Sequence, residues 1–585
     1  MTPAPTHVRF DLTIIRSESR PGSRARARLT YIEGDVEHEA HYEIPSTRPG
    51  PRRGRTRRRQ KLPRRHGCEG ERRRHLGHGL LVHRGGRRLR PDRRAPLRRR
   101  HRTPPTGVNP TPPAPRSTVW PLYVVTFLAT YTIAVASISA PGIQTALQIP
   151  ETRTSLVIGA YSATFAAGLI MSGRLGDRCG RRRMFQFGTA GLAVTALLTA
   201  AAPNFELLLI ARLLQGCAAA ATTPQVLSSI QAILTGESRL RAVGLYSVFA
   251  GSGTVGGQVL GGFVNSTFGE TFGWRAAFAS VGVLAVFAWV GARCLTETRS
   301  ANPMGLDIRG SIILGTALFL LIAGLTNGAA IDVSAPLTTT GPLISTAILL
   351  AAAVLGLLLL VPHSRSRERT GRPAILPAPV MREPGVRLGV TLACLLFLMI
   401  GGFMYNFAIL TQIGFGYSPF RTGLVSLGLA LAFVASSAVA PRLVSRLGGP
   451  ARGGPRVLVI ASVLQAAGLA SLGVLSLLEL TPFALWFQLC AVLIGGGQGL
   501  MLGPLVSVVM AAVPDEVAGL TGGLIATGQQ TGIGLGIAIL STVFAGLAQL
   551  MPMQTAYGFT TLGTVVLSVV FGLLAARLGA HGRQS

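Results

Sequence analysis

One arginine inside an apolar stretch is the residue best suited to carry or hold charge. The stretch 207–216 reads LLLIARLLQG, so Arg212 has apolar residues on both sides. Charge is costly inside a membrane, and ionisable residues there commonly serve function. Arg212 is therefore a candidate to line a cavity and to relay protons or hold an anionic group. Snorkelling of its long side chain is the alternative, and Glu206 is either its partner or a solvated helix start.

Uncharged polar side chains at other points of the apolar stretches could complete such a cavity. Tyrosine, glutamine, asparagine and threonine can orient a small molecule by hydrogen bonds. Each can equally make a single hydrogen bond to a neighbouring helix. The candidates are Thr132, Tyr161, Gln215, Gln258, Tyr405, Asn406 and Gln529.

The densest charge among the apolar stretches lies in residues 173–183, which read GRLGDRCGRRR. Its five arginines would hold a short hairpin on the cytoplasmic side, and the aspartate can pair with an arginine beside it or four residues on. Glycines permit a tight turn and close packing. Orientation by charge alone explains the arginines but neither the aspartate nor the glycines. The candidate residues are Gly173, Asp177, Arg178, Gly180, Arg181 and Arg182.

Glycines spaced four residues apart predict close helix contacts. Gly253, Gly257 and Gly261 share one helix face, with Gly262 beside them, and small residues let membrane helices approach closely. The same spacing recurs over 495–503 and 528–536. Residues 251–256 also match the dinucleotide fingerprint, but no strand precedes them. These faces either slide against their neighbours or pack statically.

The elements that must position these residues are membrane helices. The chain has 585 residues, 48% hydrophobic and 14% charged, and its apolar residues come in runs of about 20, the length that crosses a bilayer. Hydropathy predicts fourteen spans. Their limits are 119–139, 155–172, 184–202, 206–232, 242–264, 276–294, 311–329, 341–361, 388–411, 422–440, 457–478, 484–512, 519–546 and 556–576.

The distribution of arginines orients these spans. With the N-terminus inside, arginines collect in every inner loop, whereas the outer loops receive only Arg153, Arg275 and Arg421. Cytoplasmic loops carry such an excess of basic residues. We therefore expect a multi-pass protein of a bacterial cytoplasmic membrane with both termini in the cytoplasm.

Other chemistries find no support in the sequence. There is no P-loop for ATP, and the six cysteines lack paired spacing. No Ser/His/Asp or metal-binding pattern occurs in the spans, since His363 and His581 fall in an inner loop and the tail. We expect no enzyme activity, no cofactor and no metal.

An internal repeat indicates a duplicated bundle. GRLGDRCG at 173–180 and PRLVSRLG at 441–448 share Arg-Leu, Arg and Gly at matching offsets, and each follows an even-numbered span. Transporters are commonly built from such repeats.

Over residues 119–576 the sequence resembles the major facilitator superfamily, specifically its fourteen-span drug:proton antiporters. The stretches 173–183, 207–216 and 253–262 carry the resemblance, with Trp274-Arg275 after them. The sequence departs from the family at Gln258, where proline is usual, and near Thr132, where an aspartate is frequent.

The resemblance implies an all-α polytopic fold of two six-helix bundles plus two extra central helices, about 14 transmembrane helices in all. The bundles would span 108–305 and 386–585, with the inserted helices and a linker over 306–385. It also implies secondary active efflux of a small amphipathic drug or antibiotic in exchange for protons. Residues 173–183 would be a cytoplasmic latch that forms in one access state. A monomer is expected, and a metabolite importer or facilitator of the same fold is the alternative.

Residues 1–107 form a basic extension that we expect to be largely disordered. Residues 51–102 contain 21 arginines and almost no apolar pattern, which cannot bury a core. Residues 5–45 show some of the alternation of polar and apolar side chains that is typical of strands, and we assign no fold to them. A membrane-tethered nucleic-acid-binding protein using this arm is an alternative of another class. Fourteen spans are too many for an anchor, so no nucleic-acid partner is expected.

The extension leads to a first prediction, that the native protein begins near Val108. The chain has one lysine against 55 arginines, which indicates a GC-rich gene, and out-of-frame translation of such DNA gives residues like those of the extension. N-terminal sequencing of protein from its native host should find this start. A product beginning at Met1 would contradict it.

Overall fold

The structure is a computed structural model that describes residues 9–15, 25–33, 36–44, 119–300, 305–328, 340–376, 381, 383–511 and 515–581. The chain divides into two compact units, Met1–Pro105 and Thr106–Ser585. The arginine-rich stretch 51–102 and the expected start near Val108 lie outside the described residues.

The first unit contains a three-stranded antiparallel sheet of β1 (Arg9–Ile15), β2 (Ala25–Glu33) and β3 (Val36–Ile44). In its register, Leu12 is opposite Leu29. This sheet lies within the stretch 5–45, which the sequence analysis left unassigned, and the all-α description applies to the second unit. The alternation of side chains over 5–45 is the period-two pattern of a strand, but it is too short to identify a sheet from sequence alone.

The second unit is helical in its described residues. Its helices are α1 (Trp120–Ile138), α2 (Ala140–Leu147), α3 (Glu151–Cys179), α4 (Arg181–Ala201), α5 (Phe205–Ile233), α6 (Gly236–Thr267), α7 (Gly269–Gly291), α8 (Ile308–Gly328), α9 (Thr340–Arg369), α10 (Pro384–Ile409), α11 (Pro419–Val425), α12 (Leu427–Arg446), α13 (Gly449–Leu477), α14 (Phe483–Ala511), α15 (Asp515–Ala548) and α16 (Met553–His581).

Thirteen of these helices are long and apolar enough to cross a membrane, counted over the described residues. Helix α6, at the place of the predicted fifth span, has 32 residues but does not meet that criterion. Its second half is rich in glycine, serine and threonine, which lower hydropathy without shortening the helix. With α6 included, each of the fourteen predicted spans corresponds to a long helix.

The two halves of the membrane unit repeat the same helix contacts. In the first half, α1 packs on α6 and α7, α5 on α3 and α4, and α7 on α4 and α6. In the second, α10 packs on α15 and α16, α14 on α12 and α13, and α16 on α13 and α15. The repeated glycines Gly180 and Gly448 have φ of 111° and 109° at equivalent helix junctions, a conformation that favours glycine. The internal repeat therefore reflects two six-helix bundles.

The inserted helices are central in the sequence but lie to one side of the bundles. Helix α8 contacts α3, α15 and α9. In its most apolar segment, α9 has only 11% of its residues buried. A helix that is apolar on all sides suits contact with lipid, so α9 faces outward rather than filling the space between the bundles.

The glycine face of α6 makes close helix contacts. A Cβ atom at Gly257 of α6 would lie 2.8 Å from the carbonyl oxygen of Tyr131 on α1, and Gly253 and Gly261 face the same helix. Gly262 instead faces the second half, where its Cβ would lie 2.5 Å from the carbonyl oxygen of Pro419. The predicted stripe is thus a contact face, and it serves α1 and the opposite bundle together.

Contacts between the bundles run from the middle of the helices to one end. Thr527 of α15 donates to the carbonyl oxygen of Ala166 on α3 at 3.3 Å. Farther along, Gln412 Nε2 donates to Ile138 O and the N–H of Phe420 donates to Ser266 Oγ, both at 2.9 Å. We call this the arginine-poor end, because the loops at this end carry only three arginines among the described residues. These are Arg153, Arg275 and Arg421. The opposite end, with residues 173–183, is the arginine-rich end. The bundles are therefore joined at the arginine-poor end.

Substitution of alanine for Gly532 should destabilise the membrane unit. Its Cβ would meet the backbone of α10, with the N atom of Leu398 at 3.0 Å, and overpacking of this kind typically costs about 1–3 kcal/mol. Thermal unfolding of purified protein in detergent should show a lower Tm for G532A. Gly503 is the matched control because nothing lies within 4 Å of its Cβ position. A similar loss in G503A would contradict the packing explanation.

Candidate functional site

Arg212 lies on α5 and is fully buried. Its guanidinium carbon is 4.4 Å from the ring centroid of Tyr161 on α3 and 5.5 Å from that of Phe278 on α7. Its Nη1 donates to Gln215 Oε1 at 2.6 Å. Aromatic faces attract a cation in this way. Arg212 therefore packs between three helices of the first bundle and does not snorkel to a surface.

Several polar atoms around Arg212 have no hydrogen-bond partner among the described residues. They are Arg212 Nε and Nη2, the Tyr161 hydroxyl and Gln215 Nε2. Glu206 is exposed in the first turn of α5, which favours its interpretation as a solvated helix start. A buried cation with unsatisfied N–H groups is costly. The group of Tyr161, Arg212 and Gln215 thus has spare donors that an anionic or carbonyl oxygen can satisfy.

Thr132 and Gln258 lie apart from this group. The Thr132 hydroxyl is fully buried and donates to Leu128 O on its own helix at 2.8 Å. Gln258 is buried on α6, and its Nε2 lies 3.7 Å from the sulfur of Met404 in the second bundle. In this conformation the hydrogen bond of the Thr132 hydroxyl stays within its own helix, whereas the Gln258 side chain bridges the two bundles.

The candidates of the second bundle lie on α10 and α15. Asn406 Nδ2 donates to Leu540 O at 3.0 Å, which holds α10 against α15. The buried Tyr405 hydroxyl donates to the carbonyl oxygen of Glu151 at 3.5 Å. Gln529 is half-buried on α15. These side chains are distributed along the contact between helices and do not gather with Arg212.

Residues 173–183 form the junction between α3 and α4 at the arginine-rich end. Arg181 Nη2 donates to Asp177 Oδ1 at 2.8 Å, and its Nη1 donates to Ser228 O on α5 at 3.2 Å. Of the two partners predicted for Asp177, the structure therefore uses Arg181, whereas Arg178 is exposed. The ion pair ties the junction to α5.

The same junction is fastened to the segment that follows α7. The backbone N–H of Arg182 donates to Glu297 Oε1 at 3.1 Å. The φ of 111° at Gly180 favours glycine there, and a Cβ atom at this position would displace the Glu297 carboxylate, whose Oε1 would lie 2.5 Å away. Gly173 is less constrained, since its Cβ would lie 3.6 Å from that of Pro224 on α5.

A charge cluster that the sequence did not single out lies beside this junction. The Asp307 side chain is 1% exposed, and its Oδ1 is 2.9 Å from His363 Nε2 and 3.4 Å from Arg367 Nε. The N–H groups of Gly310 and Ile375 donate to its carboxylate at 3.0 and 2.9 Å. Burial raises the pKa of Asp307, but these hydrogen bonds and Arg367 together hold it below its ordinary value.

Arg174 joins this cluster to residues 173–183. Its Nη2 donates to Ala374 O at 2.8 Å and its Nη1 to Gly305 O at 3.4 Å. The cluster therefore connects the first bundle to both inserted helices. His363 lies within α9, not in the inner loop where the sequence placed it. The available signals were an acid directly before a span and a histidine near the end of the next.

No three His, Cys, Asp or Glu side chains are arranged to hold a metal ion in the described part of the chain. The geometry instead suits hydrogen bonding and movement of charge between packed helices.

Comparison with known proteins identifies the family. A family model described as the Major Facilitator Superfamily matches residues 122–306 and 308–537, well over half of the chain. The chain belongs to the Major Facilitator Superfamily. This membership confirms the predicted family, its membrane fold, and the expectation of a transporter rather than an enzyme.

Among its relatives are bacterial resistance and export proteins. A puromycin resistance protein of Streptomyces alboniger is 33% identical, covering 74% of this chain and 82% of the relative. A tetracenomycin C resistance and export protein of Streptomyces glaucescens is 29% identical, covering 75% and 79%. The multidrug resistance protein Stp of Mycobacterium tuberculosis is 27% identical, covering 70% and 72%.

Solved structures of transporters share the fold. A structure of tetrameric PepTSo2 has a TM-score of 0.55 at 15% identity, covering 80% of this chain and 99% of the other. A D-xylose-proton symporter has a TM-score of 0.52 at 15% identity, covering 78% and 97%.

Replacing Asp307 by asparagine should destabilise this superfamily member at neutral pH. Because the pKa of Asp307 is lower in the folded state, its carboxylate contributes stability above the unfolded pKa of about 3.9, and that stability is lost as the pH falls through the folded pKa. The Tm of D307N should lie below that of the native protein at pH 7, and the gap should close in acid.

The exposed Glu383 supplies the control, since E383Q should unfold like the native protein throughout. A gap between D307N and the native protein that is equal at all pH values would exclude the ionic explanation.

Proposed function

We propose that this protein exports a small amphipathic compound, a drug or an antibiotic, across the cytoplasmic membrane of a bacterium in exchange for protons. The observation that carries the proposal is the similarity, over about three quarters of the chain, to a puromycin resistance protein and to a tetracenomycin C resistance and export protein. The two bundles would move about their shared contact to open alternate ends.

The charges favour a neutral or anionic cargo. Arg212 is buried with spare N–H donors and no acidic partner among the described residues, and its neighbours Tyr161 and Phe278 supply apolar ring surface. A strongly cationic compound would need a carboxylate partner in the membrane. When the bundles move, Arg212 would be the group that meets an oxygen of the cargo or relays a proton.

The arginine-rich end would face the cytoplasm, with both chain termini on that side. Basic residues remain on the cytoplasmic side of membrane proteins. The three arginines of the other end each lie over an aromatic ring, with Arg153 on Phe205, Arg275 on Trp274 and Arg421 on Tyr417. These ring contacts would stabilise the few cations placed on the external side.

In this conformation residues 173–183 would brace the cytoplasmic end of the first bundle, and the predicted latch would form in the other access state. Asp177, Arg181 and the backbone at Gly180 hold α3, α4 and the segment after α7 as one body. Opening and closing of this end would then move the first bundle as a unit, with the inserted helices attached through Arg174.

Export is tested by accumulation of a panel of compounds in cells that express the protein. The panel contains puromycin together with neutral, anionic and cationic amphipathic compounds. Accumulation of at least one neutral or anionic compound should fall severalfold on expression and return when a proton uncoupler is added. R212A should lose this export, and R212K should retain only part of it because an ammonium lacks the planar stacking of guanidinium.

The exposed Arg442 provides a matched control, since R442Q should export normally at equal expression. Export that persists with the uncoupler would contradict proton exchange, and export unaffected in R212A would contradict the role of Arg212.

A further inference from the structure

Glu151 begins α3 at the arginine-poor end, before the apolar span Arg153–Cys179. Its Oε1 atom is buried and has no hydrogen-bond partner among the residues that the structure describes. Loss of hydration disfavours the charged form of a carboxyl group. Burial accordingly raises the pKa of Glu151 to about 7. This carboxyl group is poised between its two protonation states near neutral pH.

The second bundle covers Glu151. Tyr405 of α10 is fully buried, and its hydroxyl donates to the carbonyl oxygen of Glu151 at 3.5 Å. The neighbouring contact from Gln412 to Ile138 joins the bundles at the same end. If the bundles separate there, Tyr405 would move away and the exposure of the half-buried Glu151 would increase. Its burial therefore depends on which end of the transporter is closed.

No basic side chain near Glu151 is placed to hold its ionised form, as far as the described residues show. Arg153 lies over the ring of Phe205. Arg212 packs on Tyr161, about 15 Å along α3 from Glu151, and Glu206 is exposed. Helix α2 has no titratable side chain. The other titratable residues on the helices packed against α3 lie deeper or at the arginine-rich end, namely Tyr123, Tyr131, Arg181, Arg182, Arg183, Cys217, Arg309, Asp515 and Glu516.

We propose that Glu151 is a proton-binding site of the transport cycle, whose carboxylate takes up one proton from external water while the arginine-poor end is open. The neutral acid is then buried between the bundles when that end closes. The proton leaves toward the cytoplasm once water passes the contact of Thr527 with Ala166, which lies between Glu151 and the cytoplasmic end in this structure, and its loss regenerates the carboxylate. This inference rests on the proposed exchange of protons and names the residue that would carry them.

The direction of coupling follows from linkage. The carboxyl group binds its proton more tightly when buried than in open water, where the pKa of glutamate is about 4.3. Protonation therefore favours the closed form, and the ratio of closed to open molecules can rise by up to roughly 500-fold as the pH falls from alkaline to acidic values. If the arginine-poor end of an antiporter without cargo closes only when Glu151 is protonated, each return of the empty transporter carries one proton from the external side into the closed form.

The test measures the separation of the bundles at the arginine-poor end against pH. Spin labels are placed at T145C and L550C, two exposed positions on different bundles, in full-length protein whose six native cysteines are replaced by serine. In lipid nanodiscs the distance between the labels should shorten as the pH falls through about neutral. E151Q, which mimics the neutral acid, should keep the short distance at every pH.

Two further variants make the result specific. E206Q removes an exposed carboxylate from a neighbouring helix start and should titrate like the parent. E151D keeps a titratable group and should keep a pH response with a displaced midpoint. The inference is overturned if E151Q titrates like the parent, or if the parent does not titrate while E151Q folds with the same Tm.

The outcome separates this inference from the proposed function. The distance measurement requires neither cargo nor a proton gradient, so a titrating gate in a protein whose export ignores the uncoupler would contradict only the proposed proton exchange. Uncoupler-sensitive export that is unchanged in E151Q would contradict only the assignment of Glu151.

Discussion

Close approach of helix backbones at glycine faces is the constraint on which the rest of this structure depends. Lipid removes the hydrophobic force that holds soluble helices together, so membrane helices rely on packing and on a few polar contacts. Gly257 brings α6 against α1, and Gly532 brings α15 against α10, at equivalent places in the two bundles. These contacts fix the bundles as units and leave the surface between them as the place where movement can occur.

The charged residues differ between the fixed contacts within the bundles and the groups proposed to act in transport. The ion pairs at Asp177 and Asp307 lie at the arginine-rich end, where they join helices within the first bundle and the inserted pair. The charge of Arg212 has no acidic partner among the described residues, and it is stabilised only by two aromatic rings and by one hydrogen bond to the Gln215 amide. Rigid connections therefore use complete ion pairs, whereas the buried group proposed for transport keeps unsatisfied donors.

Particular residues show why some of the site could be predicted and some could not. Asp177 and Arg181 are four residues apart, so helical geometry alone proposed their pairing. Arg212 stood out because an isolated charge in an apolar run is rare. Asp307 and His363 are 56 residues apart, and no local rule connects them. Glu151 is likewise in contact with Tyr405, which lies 254 positions later.

The sequence by itself determined the number of spans, the duplication and the family, because apolar run length, arginine placement and motif spacing are local quantities set by the bilayer. Only the tertiary structure decided which helices touch, that α8 and α9 lie beside the bundles, and that a sheet forms in residues 9–44. It also decided that the bundles meet at the arginine-poor end over Glu151. Such outcomes arise from contacts between residues distant in the chain, and their free energy depends on shape and desolvation that no local pattern records.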